Sequence, residues 1–409
     1  MARTRLIAAL ILTYVAFAML LNSVGTVILQ SISSFDVTKP QASTLEGFKD
    51  ITIALVSFAM ASYLARIGLR TALIGALLLA IAACLVMPML GSFGAAQLHF
   101  AMVGAAFAVA KVAVYSMIGF VTAGPRQHAS LTSLIEGMFM VGVLASYWVF
   151  SAFIDPTGLR WLNAYWVLAG IVALALALLL SARVDEAPTD EEPAVPEAAP
   201  FRAMLRLAAL PLVLVFVLCA FVFVVIEQGI GTWLPTFNNE VLHLPAQMSV
   251  QAASLFAACI ALGRFGAGAV MARFDWYPVL NACLILLAAL IILVLPLADG
   301  LTPRPIAGWR DAPAAAFLFP LIGFALAPIY PTIVSVMLSA MPGRQHPPLM
   351  GLVVVFSALG GTTGSVITGQ LFAHLDGRTA FTLMLVPTAI LGIGLFLLRR
   401  QISAKDSAR

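Results

Sequence analysis

Charge is what this sequence has least of. Only 22 Lys and Arg and 18 Asp and Glu occur among 409 residues, against 62% apolar side chains. Mean hydropathy is +1.04. No water-soluble domain buries so large an apolar share, so a soluble globular protein is excluded. Cysteine is scarce too. Cys84, Cys219, Cys259 and Cys283 all fall inside apolar runs with no CxxC spacing. That excludes a disulfide framework and a cysteine-held metal site, and leaves four small buried hydrophobes. A Walker-type phosphate loop is absent, so ATP is not the energy source. Neither a nucleophile–base set nor a metal-ligand cluster occurs, which argues against an enzyme and against any metal or cofactor. The formal charge of +4 comes mainly from loop arginines and does not point to nucleic acid.

What the sequence has is long apolar runs. A membrane-crossing helix needs roughly 20 apolar residues. Twelve spans are predicted, over 6–30, 44–65, 72–91, 96–123, 129–154, 164–183, 208–236, 248–273, 278–298, 314–340, 349–373 and 379–398. The chain is therefore expected to be an all-α integral membrane protein. With both termini cytoplasmic, fourteen basic residues fall inside and five (Lys39, Arg160, Arg304, Arg310, Arg378) outside. That bias sets the expected orientation, in a bacterial-type inner membrane. The opening "MARTR" and its apolar run read as an uncleaved first span, because the run is too long for a signal peptide.

One stretch breaks the pattern. "RVDEAPTDEEPAVPEAAPFR" (183–202) carries six acids and four prolines. Such a composition cannot build a core and reads as a linker. It divides the spans six and six. The expected organisation is an N-terminal bundle over 1–183, an acidic cytoplasmic linker over 184–205, a C-terminal bundle over 206–400 and a tail over 401–409. The halves echo each other: "YLARIGLRTAL" (63–73) returns as "VMARFDWYPVL" (270–280), and "RQHASL" (126–131) returns as "RQHPPL" (344–349). Each pair occupies the same place in its half.

Two parallel six-helix repeats resemble the major facilitator superfamily of transporters. "ARIGLR" and "MARFDW" are similar to that superfamily's loop signature, with Ala65 and Ala272 in place of the usual acid. Arg66, Gly68, Arg70, Arg273 and Asp275 are the gating-loop residues this implies. The resemblance also implies that the third span of each three-span repeat faces lipid. Spans three, six, nine and twelve carry no Asp, Glu, Lys or Arg in their cores, and spans ten and eleven lack them too.

An intramembrane charge costs about 2.5–3.5 kcal/mol on insertion scales, so each one calls for a role. Glu46, Lys49 and Asp50 share one face at the outer end of span two. Lys111 lies near the middle of span four, Glu136 about two turns into span five, Glu227 on span seven and Arg264 on span eight. Asp50, Glu136 and Glu46 are candidate proton carriers, with Glu46 equally readable as a solvated rim residue. Lys111 is the most expensive of these charges. It either pairs with a carboxylate such as Glu136 or binds a substrate anion. Lys49, Tyr115, Asn22, Glu227, Gln228, Trp233 and Tyr330 complete the candidate substrate and charge-pair set. Arg264, among small residues, reads as structural. His99 and Trp161, near span ends, read as interfacial.

Gly and Pro interrupt two spans, at "GIGTWLPTF" (229–237) and "FALAPIYPTIVSV" (324–336). Broken membrane helices are tolerated where they line a cavity. "EQGIGTWLPTF", "GRFGAGAVMARF" (263–274) and "APIYPTIVSVM" (327–337) resemble the fucose–galactose–glucose:proton symporter family. That resemblance covers about 221–375 and implies proton-driven sugar uptake. The family carries an acid on span one and Glu-x-Ala-x-Asn-Pro on span four. Here span one has no acid, and Lys111 stands where the glutamate belongs.

The expected function is a secondary active transporter, a monomer working by alternating access on the proton gradient. Its partners are protons, lipid and a small polar solute: a sugar, an acidic sugar or an organic acid. Two other readings stand beside it, proton-coupled efflux of an amphipathic compound and a non-transporting membrane sensor.

Overall fold

The computed structural model describes residues 2–60, 67–122, 124–155, 158–182, 204, 206–298, 306, 308–342 and 345–407. Among them the secondary structure is helical throughout, with no strand. A chain bound for hydrocarbon must satisfy its own backbone, which leaves helices as the solution for runs this apolar. Eleven helical stretches are long and apolar enough to cross a membrane. The twelfth, Lys39–Met60, carries Lys39, Glu46, Lys49 and Asp50, and its hydropathy is low for that reason. The chain is a multi-pass membrane protein. Many large apolar side chains are exposed, among them Phe265, Met89, Ile285 and Leu293. They have hydrocarbon as their natural neighbour.

We number the helices in chain order: α1 Ala2–Leu21, α2 Val24–Ser34, α3 Lys39–Met60, α4 Leu69–Leu90, α5 Phe93–Ile118, α6 Pro125–Phe153, α7 Ala164–Ser181, α8 Pro211–Glu240, α9 Ala246–Met271, α10 Trp276–Val294, α11 Ala315–Leu318, α12 Ile322–Leu326, α13 Ile329–Ala340, α14 His346–His374, α15 Gly377–Thr382 and α16 Leu385–Ser407. Contacts divide the chain into two compact units. Unit 1 is Met1–Val37 with Thr44–Ala194, and unit 2 is Thr38–Ser43 with Val195–Arg409. The acidic linker and Arg66 lie outside the described residues.

Two expectations about broken spans change. The first span, read as continuous, is interrupted between α1 and α2. Asn22 Nδ2 donates to the Ala18 carbonyl at 2.9 Å, and Ser23 Oγ donates to that of Leu20 at 2.8 Å. Such side-chain bonds to the preceding turn compete with the helix and bend it. Asn22 therefore serves its own helix. The seventh span, read as broken, is one helix, α8, running through Pro235. Pro235 removes one backbone donor and sets its ring against the carbonyl of Gly231, yet the helix runs on for five more residues, to Glu240. The tenth span breaks as expected, with a turn at Ala327–Pro328 between α12 and α13.

In unit 1, α1 packs on α6 and α7, and α5 lies against α4. A Cβ at Gly142 of α6 would stand 2.5 Å from the Val15 carbonyl, so the backbones of α6 and α1 touch. Ser146 Oγ reinforces that seam with a 2.9 Å bond to the Met19 carbonyl. Trp161 and His99 are buried here rather than interfacial: Trp161 donates to Ser34 Oγ at 3.2 Å, and His99 Nδ1 meets the Ala83 carbonyl at 2.7 Å.

Unit 2 is built around α8 and α14. Gly360 and Gly364 form a small-xxx-small step on α14. A Cβ at either would come within 2.6 Å of the Phe221 carbonyl or 2.5 Å of the Val225 carbonyl of α8. Without a hydrophobic drive between helices in lipid, such close approach is how they associate. Gly364→Val is expected to lower stability by about 1–3 kcal/mol through overpacking. Thermal unfolding in detergent reads this, and an unchanged midpoint would show that the seam is not tight.

Candidate functional site

The stripe of α5 formed by Gly104, Phe107, Lys111, Tyr115 and Ile118 lies on one helix face, at spacings of three and four residues. Lys111 is exposed in the described structure. No described carboxylate stands within ion-pair distance of it, 4.0 Å. Its ammonium instead lies 5.9 Å from the centre of the Phe107 ring. The expected Lys111–Glu136 pair is therefore not formed. Glu136, on α6, accepts a short hydrogen bond from the Tyr115 hydroxyl. One turn of α5 separates the lysine from the tyrosine that occupies the acid.

Aromatic rings back this stripe. Tyr14 meets Tyr115 at 5.9 Å between ring centres, Phe107 at 6.4 Å and Phe139 at 5.7 Å. Phe107 meets Phe17 at 5.7 Å and Phe139 at 6.3 Å. Tyr14 and Phe17 are buried, while Phe107, Tyr115 and Phe139 are only partly covered. Two rings from α1 thus prop three rings that reach the surface around Lys111.

The charged turns of α3 form a second cluster in unit 1. Lys49 makes a short ion pair with Glu46 and lies 3.5 Å from Asp50. The side chains are 8%, 1% and 13% exposed for Lys49, Glu46 and Asp50. Glu46 is therefore no solvated rim residue. One ammonium faces two carboxylates, so full ionisation leaves a net negative charge out of water, which is costly. A Cβ on Gly104 would stand 2.5 Å from the Lys49 carbonyl, which fixes α3 against the Lys111 stripe. Seven residues separate Gly104 from Lys111, about 10.5 Å along the axis.

Unit 2 has its own polar face. Glu227 of α8 lies 3.8 Å from Arg264 of α9. The Arg264 side chain is 45% exposed and borders a groove of about 580 Å³, with Trp276, Pro328, Pro331, Thr332 and Ser335 along its walls. Arg264, read from the sequence as structural, is half exposed and pairs with Glu227. The Tyr330 hydroxyl bonds Ser357 Oγ at 3.0 Å, and its ring lies 5.6 Å from that of Phe223. Gln228 Oε1 accepts from Thr232 at 3.5 Å. Trp233 is withdrawn from the candidate set. It is fully buried and donates to the Ser365 carbonyl at 3.0 Å.

The family model described as Major Facilitator Superfamily matches residues 6–317. The chain belongs to the major facilitator superfamily. It is a transporter by family, and not an enzyme. A bacterial homologue of the human lysosomal transporter Spinster, in an inward-facing, unoccupied conformation, aligns at TM-score 0.76 and 15% identity, covering 99% of this chain and 98% of that one. A point mutant of the nucleoside transporter NupG aligns at TM-score 0.76 and 12% identity, over 97% and 100%. A mutant of the E. coli fucose:proton symporter FucP aligns at TM-score 0.59 and 15% identity, over 96% and 98%. At these identities the shared property is the fold. A search of curated sequences finds no match.

The superfamily's loop positions divide by structure. Gly68 takes φ +85°, a conformation that favours glycine. Arg70 reaches across unit 1 and donates from Nη2 to the Leu180 and Ala182 carbonyls, both at 3.1 Å. These are orphan acceptors at the C-terminal end of α7, so Arg70 caps that helix and complements its dipole. In unit 2, Asp275 stands at the N-cap position of α10 and lines the Arg264 groove. Arg273 follows the Ala272 C-cap of α9. Sequence reasoning missed Phe107, Phe139 and Ser357. An apolar or small residue on a membrane helix carries no signal of the face it presents.

Proposed function

We propose that this chain is a secondary active transporter that takes up a small organic anion together with protons, across a bacterial-type inner membrane. The observation that carries the anion is Lys111: a mid-span ammonium, exposed, with a ring rather than a carboxylate beside it. A cation left in the span at a cost of about 2.5–3.5 kcal/mol has a solute anion as its natural partner. Glu136 does not compete, because Tyr115 engages it. A sugar importer of the fucose symporter type would keep an acid at this position, so an organic acid fits better than a neutral sugar.

Proton coupling rests on the α3 cluster. A proton on Asp50 leaves Lys49 and Glu46 as a balanced pair. A proton leaving it restores a buried negative charge that favours rearrangement of the segment. Asp50 is held at 3.5 Å, more loosely than Glu46, and is the more exposed acid. Tyr147 of α6 lies within electrostatic reach of both Glu46 and Lys49. The contact of Lys49 with Gly104 gives α3 a direct mechanical hold on the helix that carries Lys111. Proton symport is also what the FucP and D-xylose neighbours are named for.

The test is anion uptake by the full chain in proteoliposomes with an imposed pH gradient. Wild-type protein is expected to accumulate labelled anion, and a protonophore to abolish that accumulation. Asp50→Asn is expected to keep anion exchange at zero gradient and to lose gradient-driven accumulation. Undiminished accumulation in Asp50→Asn would remove Asp50 from the coupling, and accumulation indifferent to the protonophore would remove the proton.

A further inference from the structure

We infer that the anion bound at Lys111 is an aromatic monocarboxylate, an inference that rests on the anion reading above. Three features of the wall around Lys111 lead there. The first is charge. One ammonium is present, and Tyr115, one turn along α5, bonds Glu136 of α6. A second carboxylate on the solute would approach Glu136 and be repelled, so the wall selects a single negative charge.

The second feature is the surface itself. Phe107, beside the lysine, and Tyr115 and Phe139 are partly covered, and Tyr14 and Phe17 pack against this ring cluster. Phe107–Phe139 and Tyr14–Tyr115 are tilted or edge-on pairs at 6.3 and 5.9 Å. Offset and edge-to-face geometry is what a further ring would extend. A carboxylate on Lys111 places the body of its molecule over Phe107, whose centre is 5.9 Å from the ammonium.

The third feature is the lack of hydrogen-bonding capacity. A polyhydroxylated acid brings several hydroxyls, each needing a partner when it leaves water. On this wall the Tyr115 hydroxyl is committed to Glu136, and the Tyr14 hydroxyl is buried behind the rings. A ring without hydroxyls brings no new group that needs a partner.

The experiment is equilibrium binding of labelled benzoate to the purified full chain in detergent, with unlabelled benzoate, gluconate, succinate and glucose as competitors. Benzoate is expected to compete at least ~10-fold better than gluconate or succinate, and glucose not at all. Phe107→Leu keeps apolar volume and removes the ring, and is expected to weaken benzoate roughly 3- to 10-fold. Phe139→Leu is expected to act in the same direction, with melting temperature checked for both. Benzoate binding that is absent, or no tighter than gluconate or succinate, overturns the inference. If gluconate or succinate then binds in a Lys111→Met-sensitive way, the anion reading survives and the ring inference alone fails. Binding of every anion that ignores Lys111→Met sinks both.

Discussion

Lys111→Met is expected to weaken anion binding strongly while leaving the protein as stable as before, or more so. A charge-assisted contact contributes about 1.5–3 kcal/mol, so its loss weakens binding roughly 10- to 150-fold. Stability runs the other way. Lys111 has no described carboxylate within 4.0 Å to leave uncompensated, and its insertion into the span is itself unfavourable. Methionine has similar length and no charge, so the melting temperature in detergent should hold or rise. The opposite signs make the test sharp. A lysine that held helices together would lose stability on substitution, and its effect on binding would follow from misfolding. Lys111→Arg, which keeps the charge with different geometry, should retain part of the binding. A Lys111→Met protein that melts lower and binds anion normally would end the proposed role.

The architecture was legible in the sequence because the bilayer imposes it. Apolar runs of the right length must be helices, and the intramembrane charges fall on spans two, four, five, seven and eight alone. What was not legible was local pairing. Lys111 and Glu136 looked like partners because both are rare charges on neighbouring spans, yet the acid is engaged by Tyr115 from the same helix as the lysine. Glu46 looked solvated from its place in the first turns of α3, and is buried against Lys49. Trp233 sat in a motif with Gly and Pro that reads as a broken, cavity-lining helix, and is packed behind Ser365. In each case the residue type and depth were readable and the rotational face was not. Hydrophobic periodicity, which fixes the face of a soluble helix, is weak where lipid and core are both apolar. The internal repeat shows the same limit. Arg70 caps a helix in unit 1, while its counterpart by sequence in unit 2 is Tyr277, whose ring lies under Arg399 at 4.4 Å.

The α3 cluster yields the largest expected change in stability. Lys49→Met removes the cation that faces both Glu46 and Asp50, whose side chains are 1% and 13% exposed. Breaking a buried pair from one side costs about 3–5 kcal/mol, because the surviving charge stays out of water. Yield of inserted protein and the melting temperature should both fall. The double substitution Glu46→Gln with Lys49→Met removes the pair together, and should recover most of that loss, since Asp50 then remains as one acid that a proton neutralises. The coupling energy from the double-mutant cycle should be large and stabilising. Transport should separate from stability in the recovered protein: its fold returns, but proton-driven accumulation does not, because Asp50 no longer has Lys49 to exchange with. A Lys49→Met protein that melts like wild type would mean that water reaches the cluster. Recovered accumulation in the stable double variant would mean that the cluster only holds α3 in place, and the proton would then have to be carried by another group, with Glu136 of α6 the next intramembrane candidate.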